Sequence, residues 1–425
     1  MRAPRVVLEA ADAVCGALGL LERPLSSDEL IGQARRATGL SAFGDIRFNE
    51  PLRRFLDSCV AESDLSLVGR LATRWDVVRL LSNLLRMRQA EVEMPAIVRQ
   101  PIVKPVFITG LPRSGTSFLH SLLMQDPASM VPLVWQTIHP YPDRRARDGG
   151  PDRRIEKVER QLRAFERLAP EFRGMHPLTA TSPQECSDIT AHVFSSLRFD
   201  GTYDVPSYRA WLDRTGHLDA YRFHRRFLQH LQHQGVAGRN WVLKCPDHVF
   251  ALEAIRAVYP DARIVFVHRD PLKVLASVAR LTEILRRPFV RRLDAARIGR
   301  QDAARWLAGA EAMIAADCHW PFAAPVCHVH YLNLVRDPLG TVEGLYRHFG
   351  LYLAPEAADG VRRLVQDKPN GGYGVHHHRL EDHGLDPLEQ RLRFARYVEH
   401  FAITTEADDL PAPLPRVVPW RAAAD

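Results

Sequence analysis

Gly110 and Gly115 bracket a short turn in the run Val106-Phe107-Ile108-Thr109-Gly110-Leu111-Pro112-Arg113-Ser114-Gly115-Thr116-Ser117. An apolar strand pattern precedes the turn and a helical pattern follows it. Glycines let a backbone turn sharply and approach a ligand closely. The start of the next helix offers unpaired N–H groups and a positive dipole end to an anion. Arg113 adds a planar fork able to bind two oxygens at once, and Ser114, Thr116 and Ser117 add hydroxyls. The lysine that grips a nucleoside triphosphate in G-x-x-x-x-G-K-[ST] is absent, because Gly115 is followed by Thr116-Ser117. The pattern describes an anion site without the usual grip on Mg-ATP. An ordinary strand-to-helix turn is the plain alternative.

A second set of residues follows another buried run, Ala262-Arg263-Ile264-Val265-Phe266-Val267-His268-Arg269-Asp270-Pro271. Asp270 is a good N-cap and Pro271 suits the first helical position. A helix starting there puts Lys273 and Ser277 on one stripe with Arg269 just ahead of it. One phosphate fits that set; a solvated basic helix start fits it equally. Two anion sites at neighbouring strand ends suit a ligand with two separated anionic groups. A kinase-like reading survives through Asp270, which stands where a magnesium-holding carboxylate would, although the missing loop lysine counts against it.

The elements that must position these groups are short apolar strands at Val106–Thr109, Trp241–Lys244, Arg263–Val267 and Val326–Tyr331, separated by helical patterns. Such alternation argues for a parallel sheet covered on both faces. Ligands of these sheets bind at the carboxyl ends of the strands. The Arg113 loop, the Lys244-Cys245-Pro246-Asp247-His248 turn and the His268-Arg269-Asp270 turn then share one edge. Residues 1–100 read as a helical cap, with a Ser26/Glu29 capping box, a stop at Gly39, a second helix near Pro51 and a third from about Ser66 to Ala90. Residues 151–235 read as mainly helical around a loop at His176–Pro183. Residues 366–384 read as a long Gly- and His-rich loop, and 406–425 as a Pro/Ala-rich tail.

Composition bounds the chemistry further. The 425 residues carry a formal charge of +7, with 46% apolar and 25% charged side chains, as in an ordinary globular protein. The charge suits an anionic ligand, and no RNA-recognition or zinc-finger spacing accompanies it, so no nucleic-acid partner is expected. Six scattered cysteines without a C-x-x-C pair read as free thiols in a reducing compartment. No apolar run reaches the length of a membrane span and Glu9 and Asp12 interrupt the first apolar stretch, so cytoplasmic residence is expected. His376, His377, His378 and His383 with Glu381 and Asp382 could form a metal cluster, but consecutive histidines cannot easily face one ion. The arginines from 286 to 305 read as a solvated helix face or a lure for an anionic acceptor.

Gly110–Ser117, Lys244–His248 and His268–Pro271 with Ser277 together resemble the motifs of sulfotransferases, and most of all a bacterial branch related to tyrosylprotein sulfotransferases. The resemblance covers about residues 100–400. It implies an α/β, P-loop-like three-layer fold with a central parallel sheet, a helical N-terminal region and helical insertions, the main domain spanning 101–405. It also implies the donor 3′-phosphoadenosine 5′-phosphosulfate and no metal. By resemblance, Arg113, Ser114, Gly115, Thr116 and Ser117 hold the 5′-phosphosulfate, Arg269 and Ser277 hold the 3′-phosphate, and Tyr331 touches the adenine. The family often has Tyr-Glu-Asp-Leu at that last place, where this chain has Tyr331-Leu332-Asn333-Leu334. The loop Gly371–His378 falls where the family closes over the donor, without its usual arginine.

The reaction so implied moves a sulfuryl group in line to a hydroxyl or amine, with Arg113 and Lys244 meeting the charge of the leaving phosphate. A base must take the acceptor proton. His248 is the first candidate, because it follows Lys244 closely and is expected to face the cleft; Glu185 is the second. Many relatives have Trp-Glu after the first helix, and here Trp135-Gln136 offers an amide instead. A nucleotide kinase and a donor-binding module without activity remain as alternatives. The acceptor, whether small molecule, lipid or carbohydrate, and the oligomeric state are not written in the motifs.

Overall fold

The computed structural model describes residues 12–19, 21–142, 151–235, 238, 240–320, 322–367 and 378–406. Three N-terminal helices come first: α1 (Ser27–Thr38), α2 (Asn49–Glu62) and α3 (Leu67–Glu93). The Ser26 hydroxyl accepts from the Glu29 N–H, and Gly39 ends α1 in the left-handed region at φ 71°. The Ser66 hydroxyl caps α3 by accepting from the Gly69 N–H at 3.0 Å. The Ser26 cap and the Gly39 stop lie where the sequence signals put them.

Strands β1 (Val106–Gly110), β2 (Ser129–Met130), β3 (Asn240–Lys244), β4 (Arg263–His268) and β5 (Cys327–His330) form one parallel sheet in the order β2-β3-β1-β4-β5. The side-chain alternation along the central strands sets the layers. Phe107, Leu243, Ile264 and Phe266 face a core shared with Leu30, Phe55 and Leu84 of the N-terminal helices. Val106, Ile108, Val265 and Val267 face a second core with Leu119, Leu122 and Leu345. Each fully buried Leu or Phe there contributes about 1.5–3 kcal/mol. The expected α/β architecture with helices on both faces is therefore present. β2 escaped the sequence reading because two residues carry no periodicity. The last strand ends before Tyr331, which instead begins a short helix.

Helix α4 (Thr116–Leu123) follows the β1 loop, and α5 (Pro271–Arg286) follows β4. Farther on lie α6 (Ala295–Cys318), the short helix Tyr331–Arg336 and the helix Ala395–His400. The carboxyl ends of β3, β1 and β4 lie side by side, with Ile108 in register with both Lys244 and Val265. Two of the arginines expected on a solvated face are instead engaged. Arg286 is buried and donates to Gln301 and to the Asp200 carbonyl, and Arg305 pairs with Asp213. The Asp200 carbonyl and Asp213 lie far from these arginines in sequence, so no local pattern announced them.

Gly110 is where the sheet requires a glycine. Its φ is +144°, and a Cβ there would stand 2.2 Å from the Val267 carbonyl oxygen of β4. Substitution by alanine forces β1 and β4 apart at the point where the site begins. Gly110→Ala is expected to lower unfolding stability by at least about 2 kcal/mol, the range of severe backbone and packing changes. Denaturant titration checks it, and an unchanged midpoint contradicts it.

Candidate active site

The loop after β1 is held by its own groups. Arg113 adopts φ 61°, a left-handed conformation uncommon outside glycine. The buried Ser114 hydroxyl donates to the Leu111 carbonyl at 2.6 Å, so it closes the turn instead of facing a ligand. Gly115 has φ +93°, and a Cβ there would meet the Tyr331 ring at 2.9 Å. The loop thus leaves a backbone cradle against α4, with Thr116 and Ser117 on the cavity wall.

The second cluster is joined to the first. Arg113 Nε donates to Ser277 Oγ at 3.1 Å, and Arg269 Nη1 donates to the Arg113 carbonyl at 2.8 Å. The Arg269 guanidinium lies over the Tyr331 ring, 3.8 Å from its centroid, a cation–π contact. Its other edge meets Glu406, with Nε and Nη2 each 2.8 Å from a carboxylate oxygen. Burial works against the Arg269 charge, but Glu406 more than restores it. Arg113, Ser277, Arg269 and Tyr331 therefore converge on one rim of one cavity.

Asp270 caps α5: one oxygen accepts from the Leu272 N–H at 3.0 Å and the other from the Glu406 N–H at 2.8 Å. Both are committed to backbone, which removes the feature that kept a magnesium-dependent kinase in view. Among the described residues no group of three or more His, Cys, Asp or Glu side chains is placed to hold a metal ion. Of the histidine cluster, His376 and His377 lie outside the described residues, as does the loop Gly371–His378 up to its last residue. His378 sits beside Met175 and His383 beside Glu283.

The lysine missing from the loop is supplied by the neighbouring strand. Lys244, at the end of β3, is buried and donates to Ser117 Oγ at 3.0 Å and to Glu185 Oε1 at 2.5 Å. Glu185 precedes the helix Cys186–Thr190. Its segment is clamped to the chain after β2 by Gln184 N–H to the Pro132 carbonyl and Val134 N–H to the Ser182 carbonyl. Burial raises the Glu185 carboxyl, but Lys244 and then His176 outweigh it, and the net shift is downward. Glu185 is thus ionised and lines the cavity.

His248 is not in the cleft. It is fully buried beneath β1, edge-on to the Phe107 ring at 5.0 Å and hydrogen-bonded with the Tyr221 hydroxyl. Burial holds its imidazole well below the usual range, with His224 and Lys244 adding to the effect. The expectation failed because residues 246–250 form a 3₁₀ turn, which directs the fourth residue after Lys244 inward. Gln136 serves its own helix, its Oε1 accepting from the Leu133 N–H at 2.9 Å.

Two cleft residues, His176 and Asp302, had no motif to reveal them, and Asp247 carries no assigned role within the Lys244–His248 motif. His176 lies on the wall near Glu185, Lys244 and Arg113, and burial first, then Lys244, pushes its pKa down to about 4. Asp247 and Asp302 face the same space, and burial pushes each up to about 7. The cavity holds about 1130 Å³. Phe165, Phe172, Leu178, Leu281 and Leu285 give it an apolar wall away from the arginines.

With this geometry in view, the chain was compared with known proteins. A model described as the sulfotransferase family matches residues 105–355. The crystal structure of sulfotransferase STF1 from Mycobacterium tuberculosis H37Rv is similar at TM-score 0.76 and 32% identity, covering 87% of this chain and 98% of that one. Sulfotransferase STF9 from Mycobacterium avium is similar at TM-score 0.80 and 26% identity, covering 89% and 97%. The curated omega-hydroxy-beta-dihydromenaquinone-9 sulfotransferase Stf3 of Mycobacterium bovis is 24% identical over 262 residues. That match spans 58% of this chain and 63% of the relative's length.

Asp302 gives the cavity a pH signature. Its Oδ2 has no hydrogen-bond partner among the described residues; its carboxyl senses Thr282, Arg286, Asp200 and Arg209. With its folded pKa raised from the ordinary aspartate range to about 7, the folded state holds the proton that the unfolded chain releases. Stability from this group is lost as pH climbs through that window. Asp302→Asn is expected to melt higher than wild type at pH 8 and to lose that advantage at pH 4. Equal differences in Tm at the two pH values contradict the assignment.

Proposed function

The chain belongs to the sulfotransferase family, and from that premise we propose that it transfers a sulfuryl group from 3′-phosphoadenosine 5′-phosphosulfate to a hydroxyl of an acceptor seated in the apolar-walled cavity. The observation that carries this reading is the linked pair of anion clusters, Arg113 with its loop and Arg269 with Ser277, on one rim. The residues present fit a nucleotide charged at both ends. Gly110 and Gly115 let the loop pack tightly against Val267 and Tyr331 at the mouth of the cavity, and the Arg269 fork already donates to a carboxylate in bidentate fashion. When bound, this nucleotide supplies an activated sulfuryl group on a phosphate leaving group.

The chain's own groups then have distinct tasks. The loop N–H groups, Thr116 and Ser117 orient the 5′ end. Arg113 and Lys244 set positive charge where the leaving oxygen becomes more negative; one such preorganised donor is worth about 3–4 kcal/mol. Glu185, ionised and in contact with Lys244, takes the acceptor proton. It replaces His248 in that role because it alone of the two reaches the cavity. Arg269, Ser277 and Tyr331 hold the 3′-phosphate and nucleoside end.

An acceptor with an apolar body and a hydroxyl suits the wall of Phe165, Phe172, Leu178, Leu281 and Leu285. The printed substrate of the curated relative, a hydroxylated dihydromenaquinone, supports a lipid-like alcohol. Cytoplasmic residence belongs to the same reading. The six cysteines are all free, as a reducing compartment would keep them. Among the described residues no helix is long and apolar enough to cross a membrane.

Thermal-shift titration tests the donor half. Adenosine 3′,5′-bisphosphate is expected to stabilise the wild type more than ADP does, and Arg269→Ala to remove most of that gain; equal responses to the two nucleotides reject the assignment. Transfer of labelled sulfuryl from donor to a lipid extract tests the catalytic half. Glu185→Gln is expected to lower turnover by about 10²–10⁴-fold while nucleotide binding persists. Retention of full turnover in that variant removes Glu185 as the base.

A further inference from the structure

The Arg269 guanidinium commits three of its five N–H donors and one of its faces. Nη1 goes to the Arg113 carbonyl, Nε and Nη2 go to Glu406, and the face lies on Tyr331. Glu406 is itself held in place, its N–H donating to Asp270 Oδ2 at 2.8 Å. Its side chain is only 15% exposed and the Arg269 side chain 20%. The carboxylate reaches this point from the segment beyond the helix Ala395–His400, where Tyr397 and Phe401 pack against His268 beside Arg269. Its two oxygens take the bidentate position that one edge of a phosphate would take on the same fork.

We propose that Glu406 is an exchangeable stand-in for the 3′-phosphate of the donor: it occupies Arg269 when the nucleotide is absent, gives way when the nucleotide binds, and returns to Arg269 as the spent nucleotide leaves. This rests on the assignment of Arg269 to the 3′-phosphate. A half-buried guanidinium left without a partner is costly. The carboxylate keeps it paired in the empty enzyme and competes with the product for it. The nucleotide's affinity is then reduced by the fraction of molecules in which Glu406 holds the arginine. A carboxylate with one charge yields to a phosphate group with up to two, so the exchange favours nucleotides that carry the 3′-phosphate. A nucleotide without that group has no call on Arg269 and does not compete.

Isothermal titration of the full chain with adenosine 3′,5′-bisphosphate and adenosine 5′-phosphate tests the proposal in wild type, Glu406→Ala, Glu406→Gln and Arg269→Ala, with melting curves to confirm folding. If Glu406 occupies Arg269 in about nine molecules of ten, Glu406→Ala binds the bisphosphate about tenfold more tightly and the monophosphate unchanged. Glu406→Gln, which keeps the shape without the charge, moves in the same direction. In an Arg269→Ala background, removal of Glu406 changes nothing. Unchanged or weaker bisphosphate binding in both folded Glu406 variants overturns the proposal and makes Glu406 a fixed partner that orients Arg269. A wild type that fails to prefer the bisphosphate over the monophosphate overturns instead the assignment of Arg269, and the exchange with it.

Discussion

One hydrogen bond joins the two halves of the site: Arg269 Nη1 to the carbonyl of Arg113. It ties the turn after β4 to the loop after β1, and the Arg113 side chain returns the connection through Ser277 on α5. The close contact of Gly110 with Val267 holds the two strand ends side by side, so the spacing of Arg113 and Arg269 is a property of the sheet.

Charge neutralisation governs the rest of the cleft. A buried ammonium such as that of Lys244 is tolerable only beside a partner, and Glu185 and Ser117 provide that. The same carboxylate is kept ionised by the lysine, while burial drives Asp247 and Asp302 toward the neutral form. Carboxyl groups in one cavity thus acquire different protonation states from their surroundings alone. Glu406 extends this logic to Arg269.

The cavity wall connects these polar groups to the helices. Phe165, Phe172, Leu281 and Leu285 pack around a small apolar cluster with Ile284 and Met175, and α5 carries both that wall and Ser277. The N-terminal helices share the larger core with the sheet, so they are bound up with the stability of the fold.

Local features were legible in the chain. The Gly110–Ser117 loop, the Asp270-Pro271 helix start, the Ser26 cap and the four longer strands all follow from short-range rules of backbone geometry and side-chain alternation, and the structure has each of them. The sequence alone also named Arg113, Lys244, Arg269 and Ser277 as candidates, because residue type and spacing near strand ends carry that information. What only the tertiary structure decided was direction and partnership. A single 3₁₀ turn sent His248 into the core. Gln184 and Glu185 reached the cleft because their segment is clamped to a stretch some fifty residues earlier. Glu406 met Arg269 across 137 residues. Such pairings depend on where remote segments are carried by packing, and packing has no period in the sequence to read.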